Sequence, residues 1–334
     1  MTQTKTLKVN RYPIILTVTI ILLVAVLLLS FLFGAKTTSI QVVYDAIFHY
    51  NPKIEEHNIL REIRIPREIG AVIVGMALAV SGAVMQGVTR NGLADPGLLG
   101  LNAGASMMLA LTLAVIPNAG YFTLMLAGFI GAGIGGILVM SVGSSKRGGF
   151  SPMRLVLAGA AVSALLTAAS EGIALIFRLN QTLTFWSVGG VSGTTWKQLM
   201  ISTPIVIVIL IVLIIMSRQL TILSLGDTLS KGLGQNSTFV RYTSLIATMF
   251  LAGIAVSIVG QIAFVGLMVP HIVRFMVGTD YKRVIPLSAV LGGFILLFAD
   301  MIARMLGEAP IGAVISIIGV PFFLYLVRRD GKIL

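Results

Sequence analysis

The chain has 334 residues, of which 57% are hydrophobic and only 11% are charged, and its formal net charge is +12. Soluble domains contain about a quarter charged residues, so this composition excludes a soluble globular protein. The absence of cysteine excludes disulfides, thiolate metal ligands and thiol redox chemistry. The basic residues are scattered over short loops, which argues against a nucleic-acid partner and favours the basic bias of cytoplasmic loops in membrane proteins.

Apolar runs of about 18 residues or more recur along the chain and predict transmembrane helices. The short alternating segments of a membrane β-barrel are absent. The apolar core of the first run is too long for a cleaved signal peptide, so we interpret it as an uncleaved helix. We therefore predict an all-α polytopic membrane protein with a single transmembrane domain over residues 1–334. The predicted spans lie near residues 14–33, 68–88, 98–116, 121–142, 155–176, 199–216, 243–260, 262–277, 285–303 and 311–327.

The eighth predicted span, near 262–277, is the weakest because it is short and contains His271 and Arg274. Nine spans is therefore the main alternative count. An arginine exposed to lipid is energetically expensive, so we expect this short helix to lie inside the bundle.

The distribution of charge predicts the orientation in the membrane. With the N terminus inside and ten spans, the inner side holds 15 basic residues and four acids. The outer side then holds eight basic residues and seven acids. The positive-inside rule thus favours cytoplasmic N and C termini.

The segment REIRIPREIG (61–70) faces outward in this orientation, although the rule depletes arginine there. Proline is favoured at the first position of a helix, so we expect the second span to begin at Pro66. Arg67 would then lie in its first turn, with Arg61 and Arg64 on the entering loop. Snorkelling, or pairing with nearby glutamates, would be the ordinary role of these arginines.

Small and polar residues inside the spans point to a transport pathway. Glycines at four-residue spacing, such as Gly131 and Gly135, predict close helix packing. Asp95-Pro96 and Pro270-His271 predict broken helices, which lipid tolerates only where the backbone is buried or lines a cavity. Polar side chains within spans should face the bundle interior or a pathway, and they are Gln86, Glu171, His271, Arg274 and Asp300. These features favour a transporter or channel over a passive anchor.

No catalytic constellation is present, so we predict that the chain is not an enzyme and binds no metal or cofactor. The glycines of GDTLSKGLGQ lack the order of a phosphate-binding loop, so any ATP-driven motor must be another polypeptide. An ion-coupled secondary transporter is the alternative from another class, and it would need carboxylates at a midplane site. Only Glu171 and Asp300 qualify, and Asp300 lies four residues before Arg304, where a local helix pair explains it.

Several long motifs occur in order between Arg64 and Leu326. They are RIPREIGAVIVGMALAVSGAVMQGVTRNGLADPGLLGLNAGA, LSLGDTLSKGLG, GQIAFVGLMVPHIVRFMVG, LFADMIARM and APIGAVISIIGVPFFLYL. The sequence resembles the permease family of binding-protein-dependent ABC importers for ferric siderophores, haem and cobalamin. The resemblance implies a type II ABC importer permease fold with ten helices in the bacterial plasma membrane.

The resemblance also implies the partners. They are a second permease subunit, with a heterodimer favoured over a homodimer, two cytoplasmic ATPase subunits that bind ATP and magnesium, and an extracellular substrate-binding lipoprotein. An iron–siderophore complex is favoured over haem or cobalamin because the sequence looks most like siderophore permeases of Gram-positive bacteria. Selection among these ligands is expected in the binding protein.

Residue roles follow from the matching motif positions. Arg64, Arg67 and Arg304 match arginines that receive acidic residues from the two lobes of the binding protein. A competing interpretation is that they attract an anionic ferric chelate directly. Asn91 and Leu93 match positions that narrow the inner end of the pathway, and Pro152 and Met153 fall near a second inner constriction with different residue types.

The segment 225–234 matches the loop that couples the permease to the ATPase. Asp227 is expected to cap a short helix there, and the glycines permit sharp turns. The residues assigned to coupling are Leu225, Gly226, Asp227, Gly232, Leu233 and Gly234.

Overall fold

The computed structural model describes residues 11–34, 38–143 and 152–330, and within these ranges it contains helices and no β-strand. In chain order the helices are α1 (Tyr12–Leu32), α2 (Ile40–Phe48), α3 (Glu55–Asn58), α4 (Ile65–Thr89), α5 (Leu101–Val115), α6 (Tyr121–Gly143), α7 (Pro152–Phe177), α8 (Asn180–Ser187), α9 (Trp196–Ile215), α10 (Ser217–Ser224), α11 (Asp227–Gly232), α12 (Ser237–Val259), α13 (Val265–Val277), α14 (Tyr281–Met305) and α15 (Ile311–Asp330).

The lengths of these helices agree with an all-α membrane protein. Seven helical segments of the described chain are long and apolar enough to cross a bilayer, namely α1, the continuous segment Glu55–Thr89 that contains α4, α6, α7, α9, α12 and α14. Three shorter apolar helices, α5, α13 and α15, lie at the remaining predicted spans. The number of complete crossings stays a prediction.

Helix α4 is the centre of the bundle, and it packs against α14, α12 and α13. Glycines on α4 make this packing close. A Cβ on Gly75 would lie 2.3 Å from the carbonyl oxygen of Gly292 in α14, and one on Gly82 would lie 2.0 Å from that of Gly266 in α13. Any side chain at these two positions would therefore force the helices apart.

The predicted close packing at Gly131 and Gly135 is confirmed at the contact of α5 with α6. A Cβ on Gly131 would lie 2.2 Å from the carbonyl oxygen of Gly104, and one on Gly135 would lie 2.4 Å from that of Gly100. The two backbones thus touch along consecutive turns.

The predicted start of the second span is confirmed to within one residue, because α4 begins at Ile65 with Pro66 in its first turn. The expected loop before it is wrong. Helical backbone is continuous from Glu55 to Thr89, and residues Ile59–Arg64 form a π-helical turn in place of the expected loop. The π turn is closed by hydrogen bonds such as the one that the Ile65 N–H donates to the Leu60 carbonyl. The arginines of this segment are therefore held on a helix.

One of the two predicted helix breaks is confirmed. The segment after α4 turns through a 3-10 turn at Pro96–Leu99, where Asp95 Oδ1 accepts a hydrogen bond of 2.7 Å from the Gly97 N–H. This turn lets α5 start in a new direction.

The second predicted break, at Pro270-His271, is wrong because Pro270 lies inside α13. Proline cannot donate to the Gly266 carbonyl one turn earlier. The Gln86 side chain of α4 donates to that carbonyl instead, with Nε2 3.3 Å from its oxygen. The chain breaks earlier, between Gly260 and Phe264, which both have positive φ angles.

Helix α13 is packed on one face and is not enclosed on all sides. Val265, Val269 and Val273 are fully buried, while Phe275 and Met276 are exposed. This is the packing within one chain, and the interior position of the span in the bundle stays a prediction.

The two ends of α4 define two ends of the molecule. Its 25 residues span about 37 Å at 1.5 Å per residue, comparable to the thickness of a bilayer. We call the end at Arg67 the arginine end. It also holds the start of α9, where Trp196 Nε1 donates to the Arg61 carbonyl at 2.9 Å. We call the opposite end, at Arg90, the coupling end, and α10 and α11 lie there.

Candidate functional site

Arg67 lies at the centre of the arginine end and is bound to two carboxylates from distant parts of the chain. Its Nε and Nη2 lie 3.0 and 2.9 Å from Asp300 Oδ1, and its Nη1 lies 2.7 Å from Glu308 Oε2. Asp300 comes from α14 and is fully buried, whereas Glu308 lies on the loop after α14 and is exposed. Arg67 therefore joins α4 both to α14 and to the loop that follows α14.

Arg304 completes the ion cluster, which we define as Arg67, Glu68, Asp300, Arg304 and Glu308. Its Nε lies 3.1 Å from Asp300 Oδ2, so the local pair predicted from the four-residue spacing is confirmed. Its Nη1 lies 3.3 Å from Glu68 Oε1, and its guanidinium also donates to the carbonyl and hydroxyl oxygens of Ser30 in α1.

Burial makes the ion cluster a structural clamp. The Arg304 and Arg67 side chains are only 3% and 9% exposed. Buried charges are stable only when they are paired and hydrogen-bonded, and losing one partner is strongly destabilising. The cluster thus fixes α1, α4 and α14 relative to one another.

Arg64 stands beside the ion cluster and is half-buried. Its Nη1 donates to the Phe31 carbonyl at 2.9 Å and to Thr38 Oγ1 at 2.8 Å. The three arginines assigned to docking are therefore brought together, as predicted. Their docking role stays a prediction, and for Arg304 direct contact with a partner would require the buried contacts to open.

The coupling segment 225–234 forms a short exposed helix with a turn at each end. Gly226 and Gly234 have φ angles of +120° and +74°, a backbone region that favours glycine, so the predicted sharp turns are confirmed. Leu225, Leu229 and Leu233 follow at four-residue spacing and are 60%, 58% and 66% exposed. An exposed apolar stripe of this kind is typical of an interaction surface.

The expected capping role of Asp227 is wrong. Asp227 is the first residue of α11 and its side chain makes no capping hydrogen bond. Its Oδ1 lies 2.5 Å from Arg241 Nη2 in α12, and its Oδ2 lies 3.8 Å from Arg90 Nη2 at the end of α4. Asp227 therefore ties the coupling segment to two helices of the bundle.

The pathway residues assigned at the inner end are adjacent to this junction. Arg90 ends α4 in a left-handed conformation, with φ of +54°, and Asn91 and Leu93 follow directly. Asn91 Oδ1 accepts a hydrogen bond of 2.9 Å from the Leu93 N–H, which fixes the turn. Pro152 and Met153, the second assigned constriction, begin α7, and Met153 is exposed.

The comparisons with known proteins decide the family. A model of the FecCD transport family matches residues 22–329. The chain belongs to this family. It is also 44% identical over 307 residues, 91% of its length and 80% of the relative, to the iron(3+)-hydroxamate import system permease protein FhuB of Bacillus subtilis. To the iron-uptake system permease protein FeuB of the same organism it is 41% identical over 308 residues, covering 91% of the chain and 92% of the relative.

A solved structure supports the same family. The FecCD-family chain superposes on an inward-facing metal-chelate type ABC transporter with a TM-score of 0.81 and 28% identity, covering 95% of this chain and 99% of that one. Membership makes the chain a transport subunit in a cell membrane.

Gln86, His271 and Arg274 form a polar network inside the FecCD-family chain. The sequence predicted these residues as separate polar side chains but not their contacts. Gln86 accepts a hydrogen bond from Arg274 of α13 while it donates to Gly266, and His271 Nδ1 lies 3.5 Å from Arg274 Nη2. The expectation that intramembrane polar groups face the interior is confirmed for Gln86 and Asp300. Glu171, by contrast, is exposed on α7 in the single chain.

The sequence did not indicate the roles of three residues that form ion pairs at the two ends of α4. Glu308, Arg90 and Arg241 carry no motif of their own, although the position of Arg90 directly before Asn91 was a usable signal. A cavity of about 380 Å³ was also not predicted, and its polar lining residues are Asn102, Ser187, Gln261 and Ser316.

Proposed function

We propose that the chain is the permease subunit of an ABC importer that moves an iron–siderophore complex from an external binding protein into the cytoplasm. The observation that carries this proposal is the 44% identity to an iron(3+)-hydroxamate permease over 91% of the chain. The family implies a second permease subunit, two ATPase subunits and a binding protein as partners.

The arginine end faces outward in this proposal, and it receives the binding protein. The excess of basic residues at the opposite end supports this orientation. A guanidinium meets a carboxylate through two parallel hydrogen bonds, which fixes orientation as well as charge. Arg64 and Arg67 are the docking arginines, and Arg304, which is more deeply buried, positions Asp300 and Glu68 beneath them.

The coupling end faces the cytoplasm and receives the ATPase. The exposed stripe of Leu225, Leu229 and Leu233 supplies an apolar contact for a groove on that subunit. ATP and magnesium bind to the partner subunits. Movement of the segment reaches Asn91 and Leu93, the inner gate, through the contact of Asp227 with Arg90.

The cavity between α5, α8 and α15 belongs to the transport pathway. Its lining residues are polar or apolar and include no charged side chain. Such a surface guides a bulky chelate without binding it strongly, so that selection remains with the binding protein. This arrangement suits a permease, whose ligand must leave as readily as it enters.

Uptake of radioactive ferric hydroxamate tests the proposal. A strain that lacks this chain should lose energy-dependent uptake, and the wild-type gene should restore it together with its partner subunits. An ATPase variant unable to hydrolyse ATP serves as control and should give no uptake. Normal ferric hydroxamate uptake without the chain, or uptake of haem alone, would contradict the proposed substrate.

A further inference from the structure

Glu308 is the exposed member of an otherwise buried ion cluster. Its side chain is 45% exposed, whereas that of Arg67, its partner, is 9% exposed. The two are joined by a contact of 2.7 Å between Oε2 and Nη1. Glu308 thus covers the Nη1 edge of a guanidinium whose Nε and Nη2 are already held from below by Asp300.

The backbone at Glu308 indicates that its carboxylate has a specific role. Its φ angle is +62°, a left-handed conformation that residues with a Cβ avoid, and it follows Gly307 at +79°. Glycine or asparagine is the usual choice at such a position. Local turn chemistry therefore does not favour glutamate here, and the ion pair with Arg67 offsets the cost of this conformation.

We propose that Glu308 is an internal competitor for the carboxylate of the docking partner. It occupies the Nη1 edge of Arg67 in the undocked permease, and an acidic side chain of the binding protein displaces it. Asp300 remains in place during this exchange and keeps the guanidinium aimed outward. The inference rests on the proposed docking of a binding protein at the arginine end.

The exchange has a predictable effect on affinity. When only a fraction of the permease molecules have Arg67 uncovered, the apparent affinity for the binding protein equals the intrinsic affinity multiplied by that fraction. If Glu308 covers Arg67 about nine-tenths of the time, docking is weakened about tenfold. Glu308 would thereby let the binding protein leave after delivery.

The test is the affinity of the purified binding protein for the permease complex in nanodiscs. Glu308→Gln keeps the shape of the side chain and removes its charge, and it should tighten docking about five- to tenfold. Glu308→Asn, whose residue type tolerates a left-handed backbone, should also tighten it, which separates the effect from a folding defect. Glu62→Gln is the matched control, because it removes one exposed negative charge at the same end, and it should change affinity less than about twofold.

The tighter docking of the Glu308 variants must depend on Arg67. In an Arg67→Gln background, Glu308→Gln should produce no further tightening. Unchanged or weaker docking of both Glu308 variants, with normal uptake by the wild type, would overturn the competitor role and leave the proposed function intact. If the wild-type chain does not support ferric hydroxamate uptake, the proposed function itself would be overturned.

Discussion

The two ends of α4 hold charged groups in opposite ways. At the arginine end, Glu68 and Asp300 are fully buried and Arg304 is nearly so. At the coupling end, Asp227 and Arg90 are 36% and 38% exposed and their atoms lie 3.8 Å apart. A largely buried cluster of ion pairs fixes one geometry, whereas an exposed pair is weak and can exchange partners. The difference suits the roles proposed above, namely docking at a rigid arginine end and coupling through a movable junction at the opposite end.

The largest expected effect comes from breaking the buried cluster. Asp300→Asn removes the carboxylate shared by Arg67 and Arg304. We expect a loss of about 3 kcal/mol in the free energy of unfolding, the lower end of the range for a broken buried ion pair, because each of the two buried arginines loses one of its two carboxylate partners. Equilibrium unfolding in mixed micelles, followed by tryptophan fluorescence, measures this change.

Glu62→Gln is the control for that experiment, since Glu62 is an exposed acid at the same end. It should change the free energy of unfolding by less than about 0.5 kcal/mol. Equal stability of Asp300→Asn and Glu62→Gln would show that the arginine end is not a clamp.

A functional effect without loss of stability is expected at the exposed leucine stripe. Leu229→Asp puts a charge on an already exposed position, so the fold should remain stable within about 0.5 kcal/mol. ATPase binding should fall strongly and uptake should fall at least about tenfold, as expected for loss of a buried apolar anchor. Co-purification of the ATPase with the permease measures the first effect. Normal co-purification would show that the leucine stripe does not contact the ATPase.

The smallest effect is expected from the exposed pair. Arg90→Gln should lower the free energy of unfolding by less than about 1 kcal/mol, because exposed ion pairs contribute little. We expect uptake to fall while ATP hydrolysis continues, since the turn before Asn91 and Leu93, the proposed inner gate, loses its contact with Asp227. The ratio of ATP hydrolysed to ligand transported measures this uncoupling. An unchanged ratio would mean that the pair of Arg90 with Asp227 does not connect the coupling segment to Asn91 and Leu93.

The sequence predicted local features well and distant ones poorly. Long apolar runs have a strong signal, so every predicted span coincides with a helix. The pair of Asp300 with Arg304 was predictable because the residues lie one helical turn apart. Arg67 and Asp300 are separated by 233 positions, and only the packing of α4 against α14 brings them together.

The error at Pro270 has a physical cause. The rule that stops a helix at proline assumes that no other group compensates for the missing N–H. At Pro270 the compensation comes from Gln86 on another helix. This contact cannot be inferred from the residues adjacent to the proline.

The orientation of the two ends in the membrane is the central claim, and cysteine labelling tests it most directly. The natural chain has no cysteine, so Glu62→Cys and Leu229→Cys each introduce a unique thiol. Both positions are exposed, at the arginine end and the coupling end respectively. With a membrane-impermeant thiol reagent, Glu62→Cys should react in intact cells and Leu229→Cys only after permeabilisation. Labelling of Leu229→Cys in intact cells, with Glu62→Cys protected, would contradict the account.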